Sequence, residues 1–311
     1  MTQSPAVTVL AGGVGGAKLA HGASRVTDRV TVVVNTADDA RIHGLWVSPD
    51  LDTVMYTLAG IANPTTGWGI AGETYTTLEA LRRLGADTWF MLGDQDLATH
   101  LARTARLADG ASLSQVTAEL ATALGVTARL LPATDDPLAT MVDTPAGRLD
   151  FQDYFVRRKH QDDVLGVHLD GVDDARPAPG VLPALTGADV VLLAPSNPIV
   201  SVGPVLAVPG VREALRTSPA RRVGVSPLIG GRAVKGPAAQ MLAGLGHEVS
   251  ALGVARLYVD VLDVWCIDTV DAHLAPAITD LGLTVHVTDT MMRTDHDRER
   301  LATELVDVAG R

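Results

Sequence analysis

The sequence predicts an α/β fold: a doubly wound, Rossmann-like parallel sheet with a helical and hairpin insertion over its ligand edge. Three observations carry this reading. Strand-like runs are near-continuously apolar rather than alternating, as expected of strands buried on both faces of a parallel sheet. Helical segments separate most of those runs. Four runs are followed at once by glycine-rich or polar clusters, which a parallel sheet would gather along its carboxyl edge, where ligands bind.

Taken in order, the strand-like runs are "AVTVL" (6–10), "VTVVV" (30–34), "DVVLLAP" (189–195), "RRVGVSP" (221–227), "LDVWCID" (262–268) and "LTVHVTD" (283–289). Helices are expected at about 16–26, 52–61, 210–217, 236–246, 271–281 and 294–309. From 73 to 125 the chain reads as helical, and Ser112 and Gln115 have the spacing of a capping box. From 128 to 170 short alternating stretches suggest hairpins, and "DDARPAPG" (173–180) reads as a connector. We therefore expect one α/β domain over 1–311, with an elaboration at about 64–180.

The first strand runs into "AGGVGGAKLAHG". The expected helix begins near Ala17, so Gly12, Gly13, Gly15 and Gly16 form the turn before it, with Lys18 just inside. Glycines there permit positive φ and close approach of backbone N–H groups to a ligand, and a helix N-terminus favours an anion. Two phosphate-loop templates fail. A P-loop would put lysine directly after the last glycine and a hydroxyl after the lysine, but Ala17 intervenes and Leu19 follows. The dinucleotide fingerprint meets Lys18 where its third glycine belongs. The plainer alternative is a glycine-rich turn beside a solvated lysine.

Composition removes several classes. No apolar run approaches the roughly 18 residues of a membrane span, and the N-terminus lacks the features of a secretory signal, so a cytoplasmic protein is expected. The single cysteine, Cys266, excludes an internal disulfide and a cysteine-based zinc cluster, and its apolar setting suggests a buried thiol. A net charge of −11 argues against a nucleic-acid surface. An anionic substrate would then need a local cluster of donors and a cation. Only three lysines occur, Lys18, Lys159 and Lys235, and two of them sit beside glycine clusters.

The other edge clusters are "NTADD" after the second strand, "PSNP" (195–198) with Ser196, Asn197 and Pro198, and "SPLIGG" (226–231). Asp38, Asp39, Asp50 and Asp52, with His43, lie on a long connection between a strand and a helix; loops of that length inside a compact domain are usually functional. Carboxylates so near a phosphate loop would repel the substrate without an intervening cation, and Mg2+ suits oxygen ligands and phosphates. Asp52 is equally readable as a helix N-cap. Asp94, Asp96 and His100 open a helix, where acidic residues suit the dipole, and Asp135 and Asp136 fit a β-turn. Arg157, Arg158, Lys159 and His160 read as a basic arm for phosphates or as a solvated rim. Trp46, Trp68 and Trp89 could stack on a flat heterocycle or fill core.

No G-x-S-x-G elbow, H-E-x-x-H motif or Cys–His pairing is present. A glycine loop and carboxylates without a side-chain nucleophile suggest direct phosphoryl-type transfer, carried by positioning and charge neutralisation. "AGGVGGAKL", "VVVNTADDARIHGLWVSPDLDTVMYTLAG", "LGDQDLATHL", "LLPATDDP", "FQDYFV", "APSNPIVSVGPVLAVPG", "VSPLIGG" and "KGPAAQML" together resemble the family of 2-phospho-L-lactate transferases of coenzyme F-420 biosynthesis, especially its actinobacterial phosphoenolpyruvate transferase branch.

That resemblance implies a reaction. The terminal ribityl hydroxyl of 7,8-didemethyl-8-hydroxy-5-deazariboflavin attacks the phosphorus carrying an enolpyruvyl or lactyl group in a guanosine diphosphate conjugate, and GMP leaves. It also implies residue roles. Gly12, Gly13, Gly15, Gly16 and Lys18, with Ser196, Asn197 and Pro198, hold the guanylate and diphosphate. Asp38, Asp39 and Asp50 bind Mg2+, Asp50 and Asp52 are catalytic, and Asp52 faces the deazaflavin side chain. A homodimer is implied as well. Two positions depart from the family: Gln95 stands where arginine is common, and Met91, where some relatives have lysine, could offer the deazaflavin only a hydrophobic contact. Two rival readings are a nicotinamide-dependent oxidoreductase, disfavoured by the missing third glycine, and a UDP-sugar-binding regulator of the related gluconeogenesis-factor family.

Overall fold

The computed structural model describes residues 4–310. Seven strands form one sheet: β1 (Val7–Ala11), β2 (Val30–Val34), β3 (Arg129–Pro132), β4 (Val190–Leu193), β5 (Arg221–Val225), β6 (Val264–Asp268) and β7 (Thr284–Thr288). Their order across the sheet is β7-β6-β5-β4-β1-β2-β3, and every pairing is parallel. Val7 of β1 is level with Val30 on one side and Val190 on the other, so the chain leaves β1 in one direction and later resumes beside it in the opposite one. That reversal between β1 and β4 opens a crevice beyond their carboxyl ends, the usual ligand position in an open α/β sheet.

Apolar side chains on both faces of the sheet explain the continuous runs. One face is covered by helix α1 (Gly13–Val26), helix α2 (Pro49–Leu58) and the C-terminal helix Asp295–Ala309; the other is covered by shorter helices between Val181 and Thr279. Cys266 lies in this core, and burial pushes its thiol up to about 12, which leaves it inert near neutral pH.

Three local differences from the sequence reading matter. Helix α1 begins at Gly13, so Gly13, Gly15 and Gly16 form its first turn rather than a loop before it. Helix α2 begins at Pro49, because proline is suited to the first helical position; Asp52 is therefore inside the first turn and is not the N-cap, which is Ser48. The stretch 64–180 contains β3, which pairs with β2 and divides the stretch in two. Before β3 stand helices α3 (Thr76–Arg83), α4 (Asp94–Ala108) and α5 (Leu113–Ala123), the last with the expected Ser112–Gln115 capping box. After β3, Ala139–Thr144, Gly147–Asp150 and Gly166–Asp170 form a three-stranded antiparallel sheet. Its Phe151 and Tyr154 pack on Val200, in the connection after β4. The hairpins thus brace the crevice wall.

Candidate active site

The crevice is built around one carboxylate. Asp50, in the first turn of α2, accepts from the Gly13 amide (2.7 Å) through Oδ1 and from Asn35 Nδ2 (3.0 Å) through Oδ2. Asn35 ends β2. Its amide nitrogen also donates to the Val200 carbonyl (3.1 Å), and its oxygen accepts from Ala37 N (3.0 Å). One side chain thereby joins the loops after β2 and β4 to the start of α2. Asn35 was not singled out from the sequence, although it opens the "NTADD" cluster that was.

Two glycines are required by geometry here. Gly13 has φ +60°, a left-handed value that would strain any other residue. A Cβ on Gly12 would lie 2.7 Å from Asp50 Oδ2 and 2.7 Å from Ser201 Cβ. Ser196 closes the same corner: its hydroxyl donates to the Gly12 carbonyl at 2.7 Å. Asn197 folds its own turn instead, its side-chain oxygen accepting from Ile199 N (2.9 Å), and Pro198 is buried beside it. The Gly13 amide is committed to Asp50, which leaves the Val14 and Gly15 amides as the first-turn donors without an intrahelical acceptor. Lys18, one turn further along, donates to the Met292 carbonyl at 2.9 Å, and partial burial together with Arg298 and Lys235 lowers its pKa.

Asp38 lies close to Asp50, whereas Asp39, next to it in the chain, faces Arg103 and Asp52; each keeps a buried carboxylate oxygen without a partner. The other oxygen of Asp39 accepts from Trp46 Nε1 (3.0 Å) and Ser48 Oγ (2.7 Å), which turns Trp46 into a strut. Gln152, in the "FQDYF" block, donates to the Asp38 carbonyl at 2.9 Å and fixes the strand end that carries this pair. Burial pushes Asp50 up to about 6 and Asp39 up to about 7; burial and the neighbouring Asp50 raise Asp38 well above the usual carboxylate range. Asp38 and Asp50, two buried neighbouring acids that resist ionising together, are suited to a cation.

Asp52 is placed differently from the expectation. It turns into the interior, 4% exposed, and both of its oxygens are held by the guanidinium of Arg103 on α4, one bond at 3.0 Å. His100 Nδ1 lies 3.7 Å from Asp52 and its Nε2 3.1 Å from Asp96, whose carboxylate also accepts from Tyr56 Oη at 2.7 Å. Among the described residues, Asp52, Asp96 and His100 are the only three such side chains whose ligand atoms all lie within 4.8 Å of one another; Asp38, Asp39 and Asp50 do not converge so tightly. With Arg103 already neutralising Asp52, the Asp52–Asp96–His100 cluster reads as a buried network that ties α2 to α4. A lone arginine in the middle of an amphipathic helix carries no sequence signal that it is buried, so Arg103 was missed.

Beyond the N-terminus of α4, a small cleft is lined by Trp68, Ile70, Glu73, Tyr75, Met91 and Asp96. Trp68 and Met91 are 42% and 40% exposed, large apolar surfaces left at its mouth. Glu73 caps α4 by accepting from the Gln95 and Asp96 amides (2.9 and 2.8 Å), while the Gln95 side chain faces solvent. Asp94 accepts from Thr76 N and Thr77 N, both at 3.0 Å, and so caps α3. Asp135 accepts from Ser114, and Asp136 from Arg176 N. Arg157 and Arg158 are in exposed ion pairs with Asp87 and Asp162, a solvated rim rather than a free basic arm. Trp89 is packed between Phe90 and Arg157. No helix among the described residues is long and apolar enough to cross a membrane.

A family profile described as "2-phospho-L-lactate transferase CofD" matches residues 7–309. A phosphoenolpyruvate transferase of Kitasatospora aureofaciens is 45% identical over 295 residues, covering 92% of this chain and 92% of its own. A 2-phospho-L-lactate transferase of Methanosarcina mazei is 39% identical over 296 residues, covering 94% of this chain and 97% of its own. Among solved structures, a member of the UPF0052 family from Bacillus halodurans superposes with a TM-score of 0.64 at 18% identity, covering 98% of this chain and 100% of its own, a likeness of fold.

Proposed function

The chain belongs to the 2-phospho-L-lactate transferase CofD family, and on that premise we propose that it transfers a phosphoenolpyruvyl or 2-phospholactyl group from a guanosine diphosphate conjugate to the ribityl hydroxyl of 7,8-didemethyl-8-hydroxy-5-deazariboflavin, releasing GMP. The observation that carries this reading is the juxtaposition, at the β1/β4 crevice, of the α1 N-terminus with the buried Asp50 carboxylate and its neighbour Asp38.

In this reading the Val14 and Gly15 amides and Lys18 meet the diphosphate, and Ser196, Asn197 and Pro198 shape the wall that receives the guanylate. The acceptor oxygen bonds to the phosphorus bearing the three-carbon acid, the bond from that phosphorus to the GMP oxygen breaks, and GMP leaves with the electron pair. The hydroxyl proton passes to a carboxylate, the role we assign to Asp50. Asp38 and Asp50 would hold Mg2+, because they stand close together, Asp38 keeps an unpartnered buried oxygen and both are penalised for ionising without a cation, while Asp39, facing Arg103 and Asp52, would support them from beside. Bound there, Mg2+ would neutralise charge on the diphosphate. Asp52 acts by position: its pairing with Arg103 sets the angle of α2 and hence the place of Asp50. The cleft itself is too small for a heterocycle, and the exposed faces of Trp68 and Met91 at its mouth are the surfaces to which we assign the flat deazaflavin ring.

Mass spectrometry tests this directly, after incubating the protein with the deazaflavin, Mg2+ and in turn the enolpyruvyl, lactyl and glyceryl guanosine diphosphate donors. The expected result is an acceptor mass increased by one phospho-acid group, with equimolar GMP. No product from any donor, together with tight UDP-sugar binding and no deazaflavin binding, would overturn the proposal in favour of a sugar-nucleotide regulator.

A further inference from the structure

Lys235 has no part in the reading above, yet it stands at the same helix end. It lies in the segment after the short hairpin Leu228–Ala233, and its ammonium donates to the Thr66 carbonyl in the loop that follows α2. Gly67 of that loop gives the position: a Cβ built there would be 2.9 Å from Val14 Cγ1 and 3.3 Å from Lys235 Nζ. Val14 is in the first turn of α1, and Lys18 lies four residues on, so both project from one face of the helix. Lys235 therefore stands over the first turn and Lys18 over the second. Arg298, from the C-terminal helix, adds a third positive charge near Lys18; its Nε is buried and unpartnered, and its ion pair is with Asp295.

This arrangement is unusual for a chain with a net charge of −11 and only three lysines. Two of those lysines converge, and their hydrogen-bond acceptors are uncharged backbone carbonyls, with neither lysine in an ion pair among the described residues. Partial burial, then the charges of Arg298 and Lys235, lower the pKa of Lys18. A surface with ample carboxylates has left these two ammonium groups without one. An anion between them would also meet the free amides at the start of α1.

We infer that Lys235 and Lys18 form a two-lysine seat for a diphosphate beside the first turn of α1, with Lys235 exchanging the Thr66 carbonyl for a phosphate oxygen when the ligand arrives. The naming of that ligand as the diphosphate of a nucleoside diphosphate conjugate rests on the transferase reading; the anion seat does not. Exchange also releases the Thr66–Trp68 loop from its tether to Lys235, coupling donor binding to the loop that lines the acceptor cleft.

The test is calorimetric binding of inorganic pyrophosphate to the full chain, wild type against Lys235→Gln and Lys235→Arg, beside donor and acceptor KM values. Lys235 is exposed, and an unchanged thermal midpoint checks that each variant folds. The expected result is roughly tenfold weaker pyrophosphate binding for Lys235→Gln, affinity within about threefold of wild type for Lys235→Arg, and for Lys235→Gln a donor KM raised about tenfold with an acceptor KM that no longer changes with donor concentration. Equal affinity of wild type and Lys235→Gln, or no pyrophosphate binding by wild type at millimolar concentration, overturns the inference. Transfer activity indifferent to Lys235 overturns the seat and keeps the transferase. Lys235-dependent pyrophosphate binding without transfer from any donor keeps the seat and removes the transferase.

Discussion

Replacing Arg103 by methionine should be among the most damaging single changes outside the crevice. Arg103 is 1% exposed and Asp52 4%, so the variant keeps a carboxylate in the interior after taking away the cation that holds both its oxygens. Breaking a buried pair from one side costs about 3–5 kcal/mol, because the remaining charge has lost its solvation and gained nothing. Total stabilities of about 5–15 kcal/mol make this a large fraction. At roughly 2–4 °C per kcal/mol for larger domains, the thermal midpoint should fall by about 6–20 °C. The single-residue arithmetic is tested by a cycle: Arg103→Met, Asp52→Asn and the double variant, each followed by urea unfolding and by turnover. Removing the second charge should restore at least about 1–2 kcal/mol of what the first removal took, since the two side chains are in direct contact. Turnover should fall more than stability predicts in the folded fraction of Arg103→Met, because Asp50 sits two residues before Asp52 in the same helical turn. A loss below about 1 kcal/mol, or a double variant no more stable than Arg103→Met, refutes the claim that this pair fixes α2.

Further outcomes follow from the same geometry. Asp50 has a native pKa of about 6, above its unfolded value, so between about pH 4 and 6 the folded state binds more protons and stability falls as pH rises, by on the order of 3 kcal/mol in all. Urea unfolding in EDTA should show this decline, to which Asp39, pushed up to about 7, and Asp38 add in the same direction, so Asp50→Asn should lessen the slope by the share of Asp50 and not abolish it; a variant with the wild-type slope assigns the effect elsewhere. Mg2+ should bind progressively more weakly below about pH 6, as the proton competes for the same carboxylate, and titration calorimetry at pH 5 and 7 reads this directly. Asp50→Asn should also abolish Mg2+-dependent turnover while the chain still folds, and wild-type activity in that variant would remove Asp50 from the site. Gly12→Ala should lower turnover at least tenfold with about 1–3 kcal/mol of destabilisation, since its new methyl meets the Asp50 carboxylate and Ser201 at 2.7 Å; unchanged kcat would mean the crevice yields more readily than its packing implies.

The parts of this molecule legible in its sequence are those encoded by local pattern. The six apolar runs correspond to six sheet strands, and for the inner ones the reason is that a strand buried on both faces has to be apolar at nearly every position; β2 matches residue for residue, while β7, at the sheet edge, is only partly buried. β3 was hidden for the opposite reason: "RLLP" is four residues long, begins with an exposed arginine and ends in proline, as an edge strand can. The carboxylates and glycines of the site were legible because ligand loops follow strand ends, whereas their individual partners were not. Asp50 and Asp52 are two residues apart on one helical turn, about 200° around the axis, so they face opposite ways. The sequence reading gave both a catalytic role, and which of them faces the crevice depends on Arg103, some fifty residues away on a helix whose docking is a tertiary fact.

That division of the two aspartates bears on how an acidic chain handles a polyanion. Asp52 is neutralised within the protein by Arg103, which also acts on Asp39, so their charges bear little on a ligand, while Asp38 and Asp50 have no basic side chain bonded to them and draw a cation to the crevice. On the far side of the α1 N-terminus, Lys18 and Lys235 are similarly without a carboxylate partner. The fold thus keeps unmatched negative and unmatched positive groups on either side of one helix end. A ligand that carries both a bound cation and free phosphate oxygens satisfies both sets together, and neither a bare metal nor a metal-free diphosphate does. Affinity for Mg2+ and for diphosphate should therefore be cooperative: each should bind more tightly when the other is present, by the same factor in both directions. Calorimetry of each in the absence and presence of the other measures that factor, and a value of one would show that the two sets of charges serve separate ligands.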